Sequence, residues 1–166
     1  RLEPARVARV GGQRREARMK TAPVRPGVFS AMEVAASGLS AERSRMNVVA
    51  GNLANARTTR TAEGGPYRRL DPVFEAKPLA PRSFDPVLRK VETVELAAVR
   101  PDTTPGALVY EPGHPDANAD GYVEYPNVNV VTEMVNMMTA SRAYEAGVTS
   151  IESLKAMARA ALRIGK

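Results

Sequence analysis

The sequence predicts a mainly α protein in which two long helices flank a small, irregular β insert. Ten of the 13 prolines lie between Pro66 and Pro126, and none lies in either flank of that segment from residue 27 onward. Because proline removes a backbone donor and clashes with the preceding helical turn, long helices are confined to the two flanks. Six of the eight aromatic residues lie in the same proline-rich middle. We therefore expect a basic, disordered tail over residues 1–27 and one helical domain made of residues 28–60 and 127–166. A Pro-rich β-type insert is expected over residues 61–126.

The first helix is predicted from about Ser30 to about Ala56. Ser30 and Glu33 form a capping-box pattern, and Phe29 and Val34 are placed for a hydrophobic staple. Beyond them the sequence follows a strict three-four spacing, which is typical of a helix that packs lengthwise against another helix. The members of this seam are Phe29, Met32, Ala36, Leu39, Arg43, Met46, Ala50 and Leu53, and Arg43 is the only charged residue among them.

The second helix is predicted to begin after Pro126, with Asn127 or Asn129 as its N-cap and Glu133 in its first turn. It carries a seam of the same spacing: Val130, Met134, Met137, Ser141, Tyr144, Val148, Ile151, Lys155, Ala158 and Leu162. A second row, made of Leu154, Met157 and Ala161, widens its apolar face toward the C-terminus. This wider face predicts that the helix has more than one neighbour. We expect the two helices to pair as a coiled-coil-like hairpin.

The middle of the chain contains short segments with strand character, bounded by Pro, Gly and Asp. The first two are interrupted by Asp71-Pro72, and together the segments predict a small, irregular sheet: Pro66–Leu70, Val73–Glu75, Val94–Ala98, Leu108–Tyr110 and Tyr122–Tyr125. Two helices form a thin core, and the insert adds few aliphatic residues to it. The apolar surface left over predicts burial in an assembly.

The net charge of +6 is confined to the N-terminal tail. Residues 1–27 hold eight basic and two acidic residues, which leaves 16 of each in the rest of the chain. The body is therefore neutral and shows no bias toward nucleic acid or another polyanion. For the tail, three interpretations stay open: contact with a polyanion, a targeting peptide, or incidental sequence upstream of a start at Met19. The chain has no cysteine, which excludes disulfides and thiolate chemistry.

The segment from Asp116 to Gly121 matches the first half of a calcium-binding EF-hand loop. The twelfth position of that loop would be Asn127 instead of a bidentate Glu, so we expect a tight turn. His114 is the only histidine, and a single histidine without cysteine partners does not make a typical zinc site. No nucleophile elbow or phosphate-binding loop is present. The sequence predicts no catalytic, cofactor-binding or metal-binding residue, no small-molecule ligand and no enzyme activity.

The first helix carries two distinctive segments, Ser37–Ala41 and Met46–Ala56. These segments resemble the N-terminal signature of the axial family of bacterial flagellar rod and hook proteins. Motifs in the middle and in the second helix resemble the proximal rod proteins of that family: Pro66–Arg69, Asp71–Phe74, Pro112–Asp116, Tyr122–Val123, Pro126–Met134 and Ala140–Ala146. The resemblance covers roughly residues 29–166.

This resemblance implies a structural subunit of the flagellar basal-body rod. Its terminal helices would form the inner layer of a helical tube that transmits torque and encloses an export channel. The implied partners are copies of itself, other rod subunits, proteins of the junction between the rod and the MS ring, and the flagellar type III export apparatus. The implied location is the basal body, spanning the periplasm, after export without a cleaved signal peptide.

Three asparagines match the signature of the family, and each has two interpretations. Asn47, Asn52 and Asn55 either form a polar helix face with a C-terminal cap near Asn55, or hydrogen-bond across subunits, where an unpaired buried amide would be costly. With the seam residues they make up the expected assembly interface: Leu39, Met46, Asn47, Asn52, Leu53, Asn55, Met134, Met137, Tyr144, Val148 and Ile151. The alternative function is a helical-hairpin binding module whose Arg-rich tail contacts nucleic acid or a membrane.

Overall fold

Two long helices and two β-hairpins make up the computed structural model, which describes residues 27–79 and 90–164. The helices are α1 (Val28–Ala54) and α2 (Val130–Ile164). Four strands lie between them: β1 (Leu70–Pro78), β2 (Glu92–Pro101), β3 (Leu108–Tyr110) and β4 (Tyr122–Glu124). The prediction of a mainly α protein with a small β insert is confirmed. Apart from Gly27, the predicted tail lies outside the described residues.

The two helices pack side by side in opposite directions. Asn52 near the end of α1 contacts Glu133 near the start of α2, whereas Leu39 lies against Gly147 further along. Ala41 and Val49 of α1 and Ala140 of α2 are among the buried side chains. Within the described residues, neither helix is apolar enough along its length to cross a lipid bilayer.

The seam predicted for α1 is only partly buried. Four of its members are half-buried: Met32, Leu39, Met46 and Leu53. The other four are exposed: Phe29, Ala36, Arg43 and Ala50. The reason is that α1 packs against α2, β1 and β2, so its buried arc is centred between these neighbours instead of on one seam. Within one chain, α2 packs chiefly against α1, so the prediction that α2 has more than one neighbour stays a prediction.

The two helix starts differ from one another in how they are capped. α1 begins after Gly27, which provides no side-chain cap, and the Ser30 hydroxyl donates back to the Gly27 carbonyl at 2.8 Å. Phe29 is 84% exposed, so the predicted capping box and staple are wrong. At α2, the Asn129 side-chain oxygen accepts a hydrogen bond from the Thr132 amide at 3.0 Å. Asn129 is therefore the N-cap, as predicted.

Strands β1 and β2 form an antiparallel ribbon that lies lengthwise along α1. Leu70 is held beside Asn52, the guanidinium of Arg45 lies 5.3 Å from the centre of the Phe74 ring, and Val94 donates its amide to Ser37 Oγ at 3.1 Å. Pro72 pairs with a residue inside β2, so the predicted break at Asp71-Pro72 is wrong. A ribbon of two strands has only edge strands, and these tolerate a proline.

Strands β3 and β4 form a second hairpin, separate from the ribbon. The segments predicted at Leu108–Tyr110 and near Tyr122 are therefore strands, but the four strands make two sheets instead of one. The predicted tight turn precedes β4, where the side-chain oxygen of Asn118 accepts hydrogen bonds from the amides of Asp120 and Tyr122. Gly121 closes this turn with a φ of 82°, a conformation that favours glycine.

Candidate functional site

A buried polar cluster joins the two helices to the start of the ribbon, and it is built around Asn52. The Asn52 side chain is fully buried, yet its amide makes four hydrogen bonds. Its nitrogen donates to the Leu70 carbonyl at 2.9 Å and to Glu133 Oε2 at 3.0 Å. Its oxygen accepts from the Leu70 amide at 2.9 Å and from the Tyr67 hydroxyl at 3.0 Å. The full hydrogen-bonding capacity of a buried amide is thus used inside one chain.

Glu133 is the charged member of this cluster and is only 1% exposed. Arg69 neutralises it, because Nε donates to Glu133 Oε1 at 2.9 Å while Nη1 donates to Asp71 Oδ2 at 2.7 Å. Burial alone would lower the pKa of Arg69, but the hydrogen bonds that Arg69 donates to Glu133 and Asp71 outweigh burial and raise that pKa. Asn136 Nδ2 adds a further bond to Glu133 Oε1 at 3.2 Å. We name Asn52, Tyr67, Arg69 and Glu133 the polar clasp.

The segment that enters α2 is fastened to the same place. The side-chain oxygen of Asn127 accepts from the Arg69 amide at 2.8 Å, and the Asp102 amide donates to the Arg69 carbonyl at 2.7 Å. Burial, followed by the negative charge of Glu133, raises the pKa of Tyr67. The hydrogen bonds of Asp102 with the hydroxyl and the amide of Thr104, then the charge of Arg69, lower the pKa of Asp102. All these contacts hold elements together, so the polar clasp is a structural joint.

The turn from Asp116 to Gly121 uses its oxygen atoms within the protein. Asp116 Oδ2 accepts from the Thr59 hydroxyl at 2.8 Å, and Asp116 Oδ1 lies 3.6 Å from Arg60 Nη1. Nδ1 of His114 accepts the amide of Asp116 at 3.1 Å. Over residues 27–79 and 90–164, no group of three His, Cys, Asp or Glu residues is arranged to hold a metal ion.

The structure distributes the predicted interface residues unevenly between the interior and the surface. Asn47 and Met134 are exposed, the latter at 53%. Asn52 is buried in the polar clasp, and Asn55 caps α1 by donating to the Gly51 carbonyl at 2.9 Å. The other seven are half-buried in this chain: Leu39, Met46, Leu53, Met137, Tyr144, Val148 and Ile151. The four hydrogen bonds of Asn52 all lie within one subunit, which is neither of the two interpretations given for it above.

An exposed apolar row on α2 was not recognised from the sequence as a separate feature. It lies on the side of the helix away from the buried Glu133 and Ala140, at spacings of three, four and seven residues. We name it the α2 stripe, and its members are 50–71% exposed: Val131, Met134, Val135 and Met138. The spacing was visible in the sequence, but it overlaps the predicted seam at Met134, and only the packing separates the two rows.

Comparison with known proteins shows the family to which this chain belongs. A family model described as "Flagella basal body rod protein" matches residues 32–60, and one described as "Flagellar basal body rod FlgEFG protein C-terminal" matches residues 119–164. The chain is 44% identical over 150 residues to the flagellar basal-body rod protein FlgC of Borreliella burgdorferi, covering 83% of this chain and 97% of that protein. The chain belongs to the FlgC family of flagellar basal-body rod proteins.

Two further FlgC proteins show the same extent of similarity. The protein from an Escherichia coli O6:H1 strain is 40% identical over 139 residues, covering 84% of this chain and 98% of the relative. The protein from Bacillus subtilis is 40% identical over 150 residues, covering 83% of this chain and 98% of the relative. Membership of the FlgC family makes this chain a structural subunit of the rod in the flagellar basal body, which confirms the expectation of a structural protein instead of an enzyme. The binding-module alternative receives no support.

Proposed function

We propose that this rod subunit assembles through its helical hairpin into a helical tube that transmits torque and encloses an export channel. The observation that carries the proposal is the one-sided packing of α2. One side of α2 is covered by α1, while the other exposes the α2 stripe to solvent. Large apolar side chains aligned on one exposed helix face mark an interaction surface. In a rod protein, such a surface is best suited to contact neighbouring subunits.

The division of the chain follows from the same proposal. The helical segments over 28–60 and 127–166 act as the assembling domain, paired in the manner of a coiled coil, and the insert over 61–126 acts as an outer attachment. The tail over 1–27 is proposed to be dispensable for assembly. The resemblance to the axial family supports a rod that spans the periplasm, with contacts to the MS-ring junction proteins and to the type III export apparatus that carries the subunit without a cleaved signal peptide.

The proposed assembly residues fall into two groups with different roles. Met134 and Asn47 face outward and are proposed to contact other subunits directly. The half-buried residues, such as Leu39 and Ile151, are proposed to support assembly by holding α1 and α2 together. A substitution in the first group should therefore block assembly of a folded subunit, whereas one in the second group should lower the stability of the subunit itself.

The experiment compares Met134→Asp with Leu39→Asp in a motile host that lacks its own copy of the gene. Met134→Asp places a carboxylate in an interface that excludes water, at a cost of several kcal/mol in every copy. We expect a normal level of folded subunit, no completed rod and no swimming in soft agar. Leu39→Asp buries the carboxylate inside the subunit, so we expect a lower level of the protein. Glu92→Ala, at an exposed position in β2, is the control and should swim normally. Normal swimming of the Met134→Asp strain would contradict the proposal.

A further inference from the structure

A second exposed helix face is available to meet the α2 stripe. On α1, residues at spacings of three and four point to solvent along the whole helix, and most of them are small or polar. We name them the α1 outer face: Glu33, Ala36, Ser40, Arg43, Asn47, Ala50 and Ala54. The α2 stripe carries long or branched apolar side chains on an otherwise similar exposed face. Large side chains on one helix pack well over small residues on another, because the two backbones approach closely.

We propose that the α2 stripe of one subunit docks on the α1 outer face of a second copy of this chain, an inference that rests on the proposed function. A stripe that met its own equivalent would form a closed twofold dimer. A contact between two different faces leaves one free stripe and one free face at the ends, so copies add in succession. An open rod requires the second arrangement.

The direction of the docked helices follows from the symmetry of such an assembly. Successive copies are related by rotation about one axis and translation along it. Helices that run nearly parallel to that axis therefore keep their direction from copy to copy. Within one chain α2 runs opposite to α1, as the pairs Asn52–Glu133 and Leu39–Gly147 show. The α2 of one copy therefore runs opposite to the α1 of the next.

One antiparallel register matches large residues with small ones and pairs opposite charges. Met134, Met138 and Glu145 are all exposed on the outer side of α2, separated by four and seven residues. Ala54, Ala50 and Arg43 are all exposed on the α1 outer face, with the same two separations in the reverse direction. In this register each methionine lies over an alanine, and the Glu145 carboxylate faces the Arg43 guanidinium.

The size of the contact predicts weak pairing of free subunits. A contact made by four partly exposed side chains and their partners is smaller than the specific, stable interfaces between proteins, which bury roughly 1,200 Å² or more. Isolated subunits should therefore stay monomeric, while a subunit at the growing end gains several such contacts at once. This suits a protein that must travel alone before it assembles.

Cysteine cross-linking tests the register directly because the chain contains no cysteine. Met138→Cys combined with Ala50→Cys brings two thiols together across the proposed contact, and Met138→Cys combined with Ala36→Cys places them 14 residues apart along α1, or about 21 Å. In oxidised basal bodies we expect disulfide-linked dimers and larger multimers from the first pair only. Dimers from Met138→Cys alone would overturn the head-to-tail contact, and equal cross-linking by both pairs would overturn the register.

Charge exchange provides a second readout, and a photo-crosslinking amino acid at position 138 identifies the partner. Arg43→Glu and Glu145→Arg should each reduce the swimming diameter at least twofold, and the double exchange should restore it. Failure of the double exchange to restore swimming would overturn the predicted pairing. A crosslink to a different rod protein, in place of a product of twice the chain mass, would overturn the second copy as the partner. Basal bodies that lack this chain altogether would instead contradict the proposed function.

Discussion

Leu39 and Gly147 meet where α1 and α2 approach each other, and a side chain at position 147 would fit only if Leu39 moved. A Cβ on Gly147 would lie 2.7 Å from Leu39 Cδ2 and 3.2 Å from its Cγ. We predict that Gly147→Leu separates the helices and lowers the free energy of unfolding by about 2 kcal/mol, because overpacking a well-filled contact costs roughly 1–3 kcal/mol. Urea unfolding followed by circular dichroism measures the change.

Two further variants test whether the Leu39 contact is the cause. Adding Leu39→Ala to Gly147→Leu makes space for the new side chain, so the double variant should be more stable than Gly147→Leu alone. Gly51→Ala is the control within a helix, since a Cβ there meets no atom within 4 Å. It should gain up to about 1 kcal/mol from the higher helix propensity of alanine. If Leu39→Ala gave no recovery, the destabilisation would have another origin.

Among the neutral side chains of the polar clasp, we predict that substituting Asn52 lowers the free energy of unfolding most. Asn52→Ala removes four hydrogen bonds and leaves the Leu70 backbone groups, the Tyr67 hydroxyl and Glu133 short of a partner. Each buried polar group left without a partner costs roughly 1–3 kcal/mol, so we expect a loss of about 3 kcal/mol or more in unfolding free energy. Asn47→Ala, at an exposed position on the same helix, should change it by less than about 0.5 kcal/mol. Equal effects at the two positions would contradict this assignment.

Adjacent arginines allow a matched test of the charge in the polar clasp. Arg69→Met leaves the buried Glu133 without its guanidinium, and removing one partner of a buried ion pair costs about 3–5 kcal/mol. Arg68→Met changes an exposed side chain of the same kind and should be nearly neutral. Because the loss comes from an uncompensated charge, adding Glu133→Gln to Arg69→Met should recover part of the stability. A further loss in that double variant would argue against the charge as the cause.

Tyr67 predicts a loss of stability at alkaline pH. Burial and Glu133 raise its pKa in the folded chain above the value of 10.0 for an unperturbed tyrosine. The folded state therefore holds this proton more tightly than the unfolded state does. The resulting stabilisation is fully present below about pH 10 and disappears as pH rises through the higher folded pKa. The stability advantage of the wild type over Tyr67→Phe should thus shrink above pH 10.

The measurement is the unfolding free energy of both proteins from pH 8 upward. Tyr125 also has a raised pKa, chiefly through its hydrogen bond to Glu111, so Tyr67→Phe should reduce the alkaline loss without abolishing it. A Tyr67→Phe curve parallel to that of the wild type would contradict the prediction.

The helices were predictable because their signals are local, whereas the polar clasp depends on distant segments. The absence of proline and the three-four spacing predicted both ends of α1 and the start of α2 to within about two residues. Asn52, Arg69 and Glu133 lie far apart in sequence and meet only after the helices pair. Glu133 was predicted simply as an acid in the first turn, because its pairing with Arg69 leaves no periodic pattern. Likewise, the buried side of α1 could not be deduced from one seam, since the ribbon competes with α2 for it.

The fastening of the ribbon along α1 has a mechanical consequence. Ser37 and Asn52 bind the ribbon at two points 15 residues apart, or about 22 Å along the helix axis. Each lies next to a glycine, Gly38 or Gly51, where an α-helix is easiest to bend because glycine is a poor helix former. The ribbon therefore supports α1 beside its two glycines, the residues with the lowest helix propensity in this helix. A bend in α1 at either glycine would therefore strain the neighbouring hydrogen bond to the ribbon.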